Sequence, residues 1–262
     1  MTQANASATD RVGIVIGGTS GIGLATARLL VDAGARVTIA GRSAEKGARA
    51  CEGLGERAHY ACMDVVRADQ VASAIDATVA RWGRLDWAVN AAALADGFRP
   101  VPVAEITEDE WDRTIAADLK GVWLAMKYEL PAMIRTGGGA IVNVSSVNGL
   151  SGTPLVAAYC AAKHALHGLS KTAAMEYASH GVRVNIVCPG AHLTPMLQGV
   201  FDTVAPGAPD QAAAMYRARI PMRRIGDPAE CARAIAWLLS DAASYVTGAV
   251  LTVDGGLALG AA

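Results

Sequence analysis

The chain has 262 residues, of which 52% are hydrophobic and 18% charged, with a formal net charge of −1 and a pI near 6.5. That composition excludes a disordered chain, and without a basic excess or cluster nothing favours nucleic acid or an anionic membrane surface as partner. No apolar run reaches membrane-span length, and the five widely spaced cysteines form no CxxC pair, which is the pattern of a reduced, cytoplasmic protein without a zinc site.

Residues 1–10, MTQANASATD, have neither a basic start nor an apolar core and read as a flexible tail before one domain spanning 11–262. The first strand is expected at 12–16 (VGIVI), a nearly continuous apolar run of the kind parallel sheets bury. It leads into GGTSGIG at 17–23, then a helical pattern that stops at Gly34, then a strand at 36–40. The module of helix, terminating glycine and apolar strand recurs at Gly83 and at Gly181. Seven strands are expected, at 12–16, 36–40, 58–63, 85–89, 140–144, 183–187 and 249–253. Their alternation with helices predicts an α/β fold, a doubly wound parallel sheet with right-handed crossovers and helices on both faces.

Two helix starts are well marked. Thr107 and Glu110 have capping-box order, and Asp227-Pro228-Ala229-Glu230 sets an N-cap, an N1 proline and an N3 glutamate in sequence. Between 191 and 224 the pattern breaks down, with Gly and Pro scattered through it. A stretch this long reads either as a substrate lid or as a surface excursion. Its apolar residues, Met196, Leu197, Val200, Phe201, Met215 and Tyr216, suit a small to medium, largely apolar substrate. Arg217, Arg219, Arg223 and Arg224 read as an acid-recognising group or as solvated or subunit-contact residues.

Because the strands are parallel, their carboxyl ends share one edge, where dinucleotide folds bind ligands. That edge gathers GGTSGIG, Gly41-Arg42, Asp64-Val65, Asn90 to Ala93 and Ser145-Ser146. Glycines in a strand-to-helix turn let backbone N–H groups approach a pyrophosphate at a helix N-terminus. After the second strand, where a carboxylate would bind the ribose hydroxyls of NAD, stand Gly41 and Arg42. The guanidinium favours NADP(H), with NAD(H) as the alternative, since arginine also stacks on adenine or sits in water.

Ser146 follows a buried strand, and Tyr159 and Lys163 lie four apart on one helix face. A lysine there can favour the phenolate, and the serine can bind the same substrate oxygen. These are the parts of an acid–base site built on a tuned phenol.

In these motifs, together with CPG at 188–190, Thr194 and VTGAVLTVDGG near the end, the chain resembles the short-chain dehydrogenase/reductase family from Arg11 to Gly256. The resemblance implies a Rossmann-type fold and hydride transfer between a nicotinamide and an alcohol or carbonyl. It implies Tyr159 as general acid/base, Ser146 as holder of the substrate oxygen, and Lys163 on the nicotinamide ribose, lowering the tyrosine pKa. It implies cofactor contacts from Gly17, Ser20, Ile22, Gly23, Arg42, Asp64, Val65, Asn90, Tyr159, Lys163 and Thr194, the last on the carboxamide. His192 stands where the family has an aliphatic residue and is expected to contribute its backbone.

The sequence departs from the family in several places. Ile16 replaces a threonine, Ala91 and Ala93 interrupt NNAG, and Asp118 stands where the fourth catalytic residue is Asn. Asp118 is expected to keep that geometry, add charge near Lys163 and alter proton relay. The expected function is an NAD(P)-dependent alcohol dehydrogenase or ketoreductase. The alternative is a cofactor-binding regulatory or scaffold protein with weak or no catalysis. Family resemblance further implies a homotetramer, joined through the helices after strands four and five and the C-terminal region.

Overall fold

The computed structural model describes residues 9–94 and 100–260. Of the expected N-terminal tail, Thr9 and Asp10 are described. Asp10 is anchored, its N–H on the Gly34 carbonyl at 3.2 Å and its carboxylate 3.1 Å from Arg36.

Seven parallel strands form one sheet: β1 Val12–Ile16, β2 Arg36–Gly41, β3 Ala58–Cys62, β4 Trp87–Asn90, β5 Gly139–Val144, β6 Val182–Pro189 and β7 Val250–Val253. Their spatial order is β3-β2-β1-β4-β5-β6-β7, so chain direction across the sheet reverses between β1 and β4. The register sets Ala40, Ile16, Asn90, Asn143 and Ile186 in one row, which aligns the carboxyl ends. β4 starts two residues later than expected and ends on Asn90 rather than Val89. Upstream of it Asp86 uses its carboxylate on the Val12 N–H at 2.8 Å and pairs with Arg84.

The helices are α1 Gly21–Asp32, α2 Ala44–Leu54, α3 Ala68–Trp82, α4 Glu108–Ile115, α5 Gly121–Arg135, α6 Ala157–Tyr177, α7 Pro195–Val204, α8 Pro209–Arg219 and α9 Pro228–Leu239. On one face α3, α5 and α6 bury Val71, Ile75, Leu124, Met133 and Leu166 against Ile14, Ile16 and Ile141. On the other, α1, α2 and α9 bury Ala27, Leu30, Leu54, Ile235 and Leu238 against Val15, Ile39 and Val142. Burying each such side chain contributes roughly 1.5–3 kcal/mol. That two-sided burial explains why the strands read as apolar runs instead of alternating. Gly34, Gly83 and Gly181 all have positive φ, and each releases the chain from a helix into the following strand. Both expected capping boxes form.

The expected irregular stretch at 191–224 is instead mostly helical, as α7 and α8, with a separate core of Leu197, Phe201, Ala212, Ala213 and Ile220. Phe201 packs on Tyr216 with ring centroids 5.3 Å apart. Among the described residues no helix is long and apolar enough to cross a membrane.

Candidate active site

Between β1 and α1 the chain bends tightly on glycines. Gly17 has φ +82°, and a Cβ there would sit 2.6 Å from the Ala92 nitrogen; a Cβ on Gly23 would sit 2.3 Å from the Gly17 carbonyl oxygen. This bare backbone cradle leads into the N-terminus of α1, whose first turn carries no acidic residue. Ser20 is the N-cap but makes no side-chain cap bond, so its hydroxyl remains available. Ile22 and Gly23 lie in the first turn. Gly21 lies against Thr194, whose methyl would be 3.2 Å from an added Cβ. Thr194 caps α7, its Oγ1 accepting from the Leu197 N–H at 3.2 Å, which leaves the hydroxyl hydrogen to donate elsewhere.

Gly41 is confined too: a Cβ would come within 3.2 Å of Thr19 Oγ1. The Tyr60 hydroxyl donates to the Gly41 carbonyl at 2.7 Å, and Ser43 caps α2, so the exposed Arg42 extends from a pinned backbone. Asp64 turns its Oδ1 to the Val66 N–H, and Val65 packs where Gly121 leaves room at the start of α5. Asn90 is buried, and its side chain turns into the fold, onto Glu129 and Asn143, which leaves its backbone for the strand-end edge. His192 is also buried, with Nδ1 on the Gly190 carbonyl at 3.2 Å and its ring against Gly226.

Ser146 ends the run after β5. Its Oγ accepts from the Asn148 N–H at 3.1 Å, and Asn148 is held in turn by the Thr153 hydroxyl at 2.9 Å. Tyr159 and Lys163 come from the first two turns of α6. The Lys163 ammonium lies 5.4 Å from the Tyr159 ring centre, and Nζ donates to the Val144 carbonyl at 3.3 Å. The structure thus brings Ser146, Tyr159 and Lys163 together.

Asp118 joins them from a π turn, Ala116–Lys120, wedged between α4 and α5, a local widening often found at functional sites. Its Oδ2 accepts from the Leu94 N–H at 3.1 Å. Its Oδ1 lies 3.2 Å from Lys163 Nζ, with both side chains almost wholly buried. The two form a buried ion pair.

The electrostatics bear on one expectation, which counts on Lys163 together with an oxidised nicotinamide to lower the phenol. Burial pushes the Tyr159 phenol up, Lys163 pulls it down, Asp118 pushes it up again and Ser146 pulls it down; the net direction is upward. Lys163 acts in the expected sense but is outweighed by desolvation and opposed by Asp118. Burial pulls the Lys163 ammonium down, but Asp118 and Tyr159 outweigh it and raise its pKa.

Sequence reasoning missed a brace behind the site. Ser145 Oγ donates to the Lys163 carbonyl at 3.2 Å and lies 2.9 Å from His167 Nε2, which itself lies 3.4 Å from Cys188 Sγ. A Cβ on Gly149 would strike all of Ser145, Lys163 and His167. His167 stands one turn after Lys163, and that spacing was the only available signal. A recess lined by Val103, Ile106, Thr107, Glu108, Trp111 and Asp112 flanks α4 and shares none of these residues.

Comparison with known proteins identifies the family. The family model adh_short_C2, described as Enoyl-(Acyl carrier protein) reductase, matches residues 16–258. The 2,5-dichloro-2,5-cyclohexadiene-1,4-diol dehydrogenase of Sphingobium indicum is 42% identical, covering 93% of this chain and 95% of the relative. The cis-4-hydroxycyclohexanecarboxylate dehydrogenase of Sinomonas cyclohexanicum is 43% identical, covering 94% and 96%. The crystal structure of levodione reductase superposes with a TM-score of 0.92 at 35% identity, covering 96% of this chain and 98% of that one. The chain therefore belongs to the short-chain dehydrogenase/reductase family of oxidoreductases, with its Rossmann fold.

Proposed function

We propose that this protein interconverts an alcohol and a ketone on a six-membered ring, with NADP(H) in preference to NAD(H). The observation that carries the reading is the meeting of Ser146, Tyr159 and Lys163 beside a glycine cradle at the reversal point of the sheet. The ring is suggested by the two dehydrogenase relatives named above for a cyclohexadiene-diol and a hydroxycyclohexanecarboxylate.

The residues fit a dinucleotide. Gly17, Ser20, Ile22 and Gly23 would hold the pyrophosphate, Arg42 the 2′-phosphate, Asp64, Val65 and Asn90 the adenosine side, and Lys163 and Thr194 the nicotinamide half. When bound, the nicotinamide supplies the hydride donor or acceptor. In oxidation, Tyr159 Oη as phenolate takes the proton of the substrate hydroxyl; in reduction it returns that proton to the carbonyl oxygen. Ser146 Oγ accepts from the Asn148 N–H, and its own hydrogen would donate to the oxygen it shares with Tyr159 and the substrate. The α7–α8 segment, with its separate small core, acts as the lid over this edge. Exposed Trp123 on α5, Met175 on α6, Trp237 on α9 and the fully exposed Tyr245 support a homo-oligomer.

The second reading, cofactor binding with weak or no catalysis, is favoured by one observation: Asp118 engages Lys163 and the phenol is shifted up. Paired equilibrium titrations with NADPH and NADH test the cofactor assignment. NADPH should bind roughly 10- to 100-fold tighter, and Arg42→Ala should erase that difference, as expected for a charge-assisted contact of about 1.5–3 kcal/mol. A preference for NADH would show that Arg42 reads no phosphate, and binding of neither would sink both readings.

A further inference from the structure

Beneath the catalytic residues lies a buried polar chain that the proposed chemistry does not use. Glu129, on the face of α5 turned to the sheet, is fully buried. Asn90 Nδ2 donates to Glu129 Oε2 at 3.1 Å and to Asn143 Oδ1 at 2.9 Å. Asn143 Nδ2 donates to Ser170 Oγ at 2.8 Å, and Ser170 Oγ donates to the Leu166 carbonyl at 2.7 Å. The chain therefore runs from α5 through the ends of β4 and β5 into α6. Ser170 lies seven residues beyond Lys163, two turns along the same helix face. Asn143 precedes Ser146 by three residues on the strand that delivers it.

Both hydrogens of the Asn90 amide are used, and Glu129 Oε1 and Asn90 Oδ1 remain without a partner among the described residues. A carboxylate there would have a single hydrogen bond, from a neutral amide, to offset burial of its charge, whereas a carboxylic acid adds a donor to a cluster short of donors. The geometry points to Glu129 as a proton-binding positioning residue: as the neutral acid it anchors Asn90 and, through Asn143 and Ser170, sets α6 against β4 and β5, and its ionisation loosens that anchoring and sets an alkaline limit on stability and turnover. Among the described residues Asn90 from β4 is the group bonded to Glu129; Asn143 from β5, Met126 from α5 and Ser170 from α6 follow along the chain, α3 adds Val71, Ala74 and Ile75 to the same core, and none of these is charged. Burial raises its titration to about 8, against a smaller downward pull from Asn90.

The sign follows from linkage. A carboxyl whose folded-state pKa lies above its unfolded value contributes stability that is complete below the unfolded pKa. That contribution fades as pH rises from about 4.5 to about 8. The test is denaturant unfolding of the full chain at about pH 6 and about pH 8.5, below the range where the buried Cys188 and Cys231 thiols would add their own pH dependence, for the wild type and Glu129→Gln. The wild-type unfolding constant should rise at least about tenfold between the two, and Gln, which cannot ionise, should flatten that rise. A rise that persists in Glu129→Gln would overturn the inference.

Infrared difference spectra of the wild type across the same pH range need no variant to fold. Loss of a protonated-carboxyl stretch near pH 8 is expected. A spectrum showing Glu129 ionised at neutral pH would overturn the inference. The kinetic part rests on the proposed redox function: the alkaline limb of kcat/KM should move to higher pH in Glu129→Gln, and an unmoved limb would overturn the positioning role. The unfolding and infrared readings stand whether or not that redox function does.

Discussion

The two halves of the sheet make their carboxyl ends functional in opposite ways. Around β1, α1 and β2 the chain removes side chains: Gly17, Gly18 and Gly23 leave backbone in positions where a Cβ would collide, and at Gly41 it would fit tightly against Thr19. Around β4, β5 and α6 it does the reverse, burying Asp118, Glu129, Lys163 and a row of amides and hydroxyls. On the proposed function the first half would recognise its cofactor by shape and should respond to volume but hardly to pH. The second works by charge in a dry site, where each proton matters and small changes of volume matter less.

The largest test of that contrast is Gly17→Ala. With φ at +82° and the Ala92 nitrogen 2.6 Å from the new Cβ, the turn must deform, and cofactor affinity should fall about 100-fold or more with an unchanged pH profile. Calorimetric titration with NADPH checks this, and wild-type affinity would break the shape half of the comparison. A smaller effect sharpens the other half. Asp118→Asn keeps the outline but removes a charge that raises both Tyr159 and Lys163. Phenolate then forms more readily, so the acidic limb of kcat/KM for alcohol oxidation should move to lower pH, with a few-fold rate change at neutral pH. A pH–rate profile that stays in place, or moves upward, would remove Asp118 from the charge account.

Much of the fold was legible because local signals agreed with the global arrangement. Gly34, Gly83 and Gly181 stop helices where strands must begin, and the strands buried on both faces could only be apolar runs. The segment 191–224 misled for a physical reason. Pro195 and Pro209 read as breakers but occupy the first turn of α7 and α8, where a missing N–H costs nothing. The core of that segment also leans on Ala212 and Ala213, which give a weak periodic signal.

At the site, the i,i+4 pair Tyr159 and Lys163 was readable from spacing, and Ser146 from its strand end. The balance that sets the phenol was not, because desolvation depends on everything packed around the ring. Glu129 was invisible, and His167 had only its spacing from Lys163 to mark it. A lone polar residue in an apolar helix shows its role only when Asn90 or Ser145 is found opposite it.

The most direct test of the central claim is NADPH-dependent reduction of cyclohexanone-type ketones by the wild type and Tyr159→Phe at saturating cofactor. We expect turnover in the wild type, a loss of about 100- to 10,000-fold in Tyr159→Phe, and cofactor affinity retained in both. Cofactor binding without turnover in the wild type, or full turnover in Tyr159→Phe, would contradict a tyrosine-centred oxidoreductase.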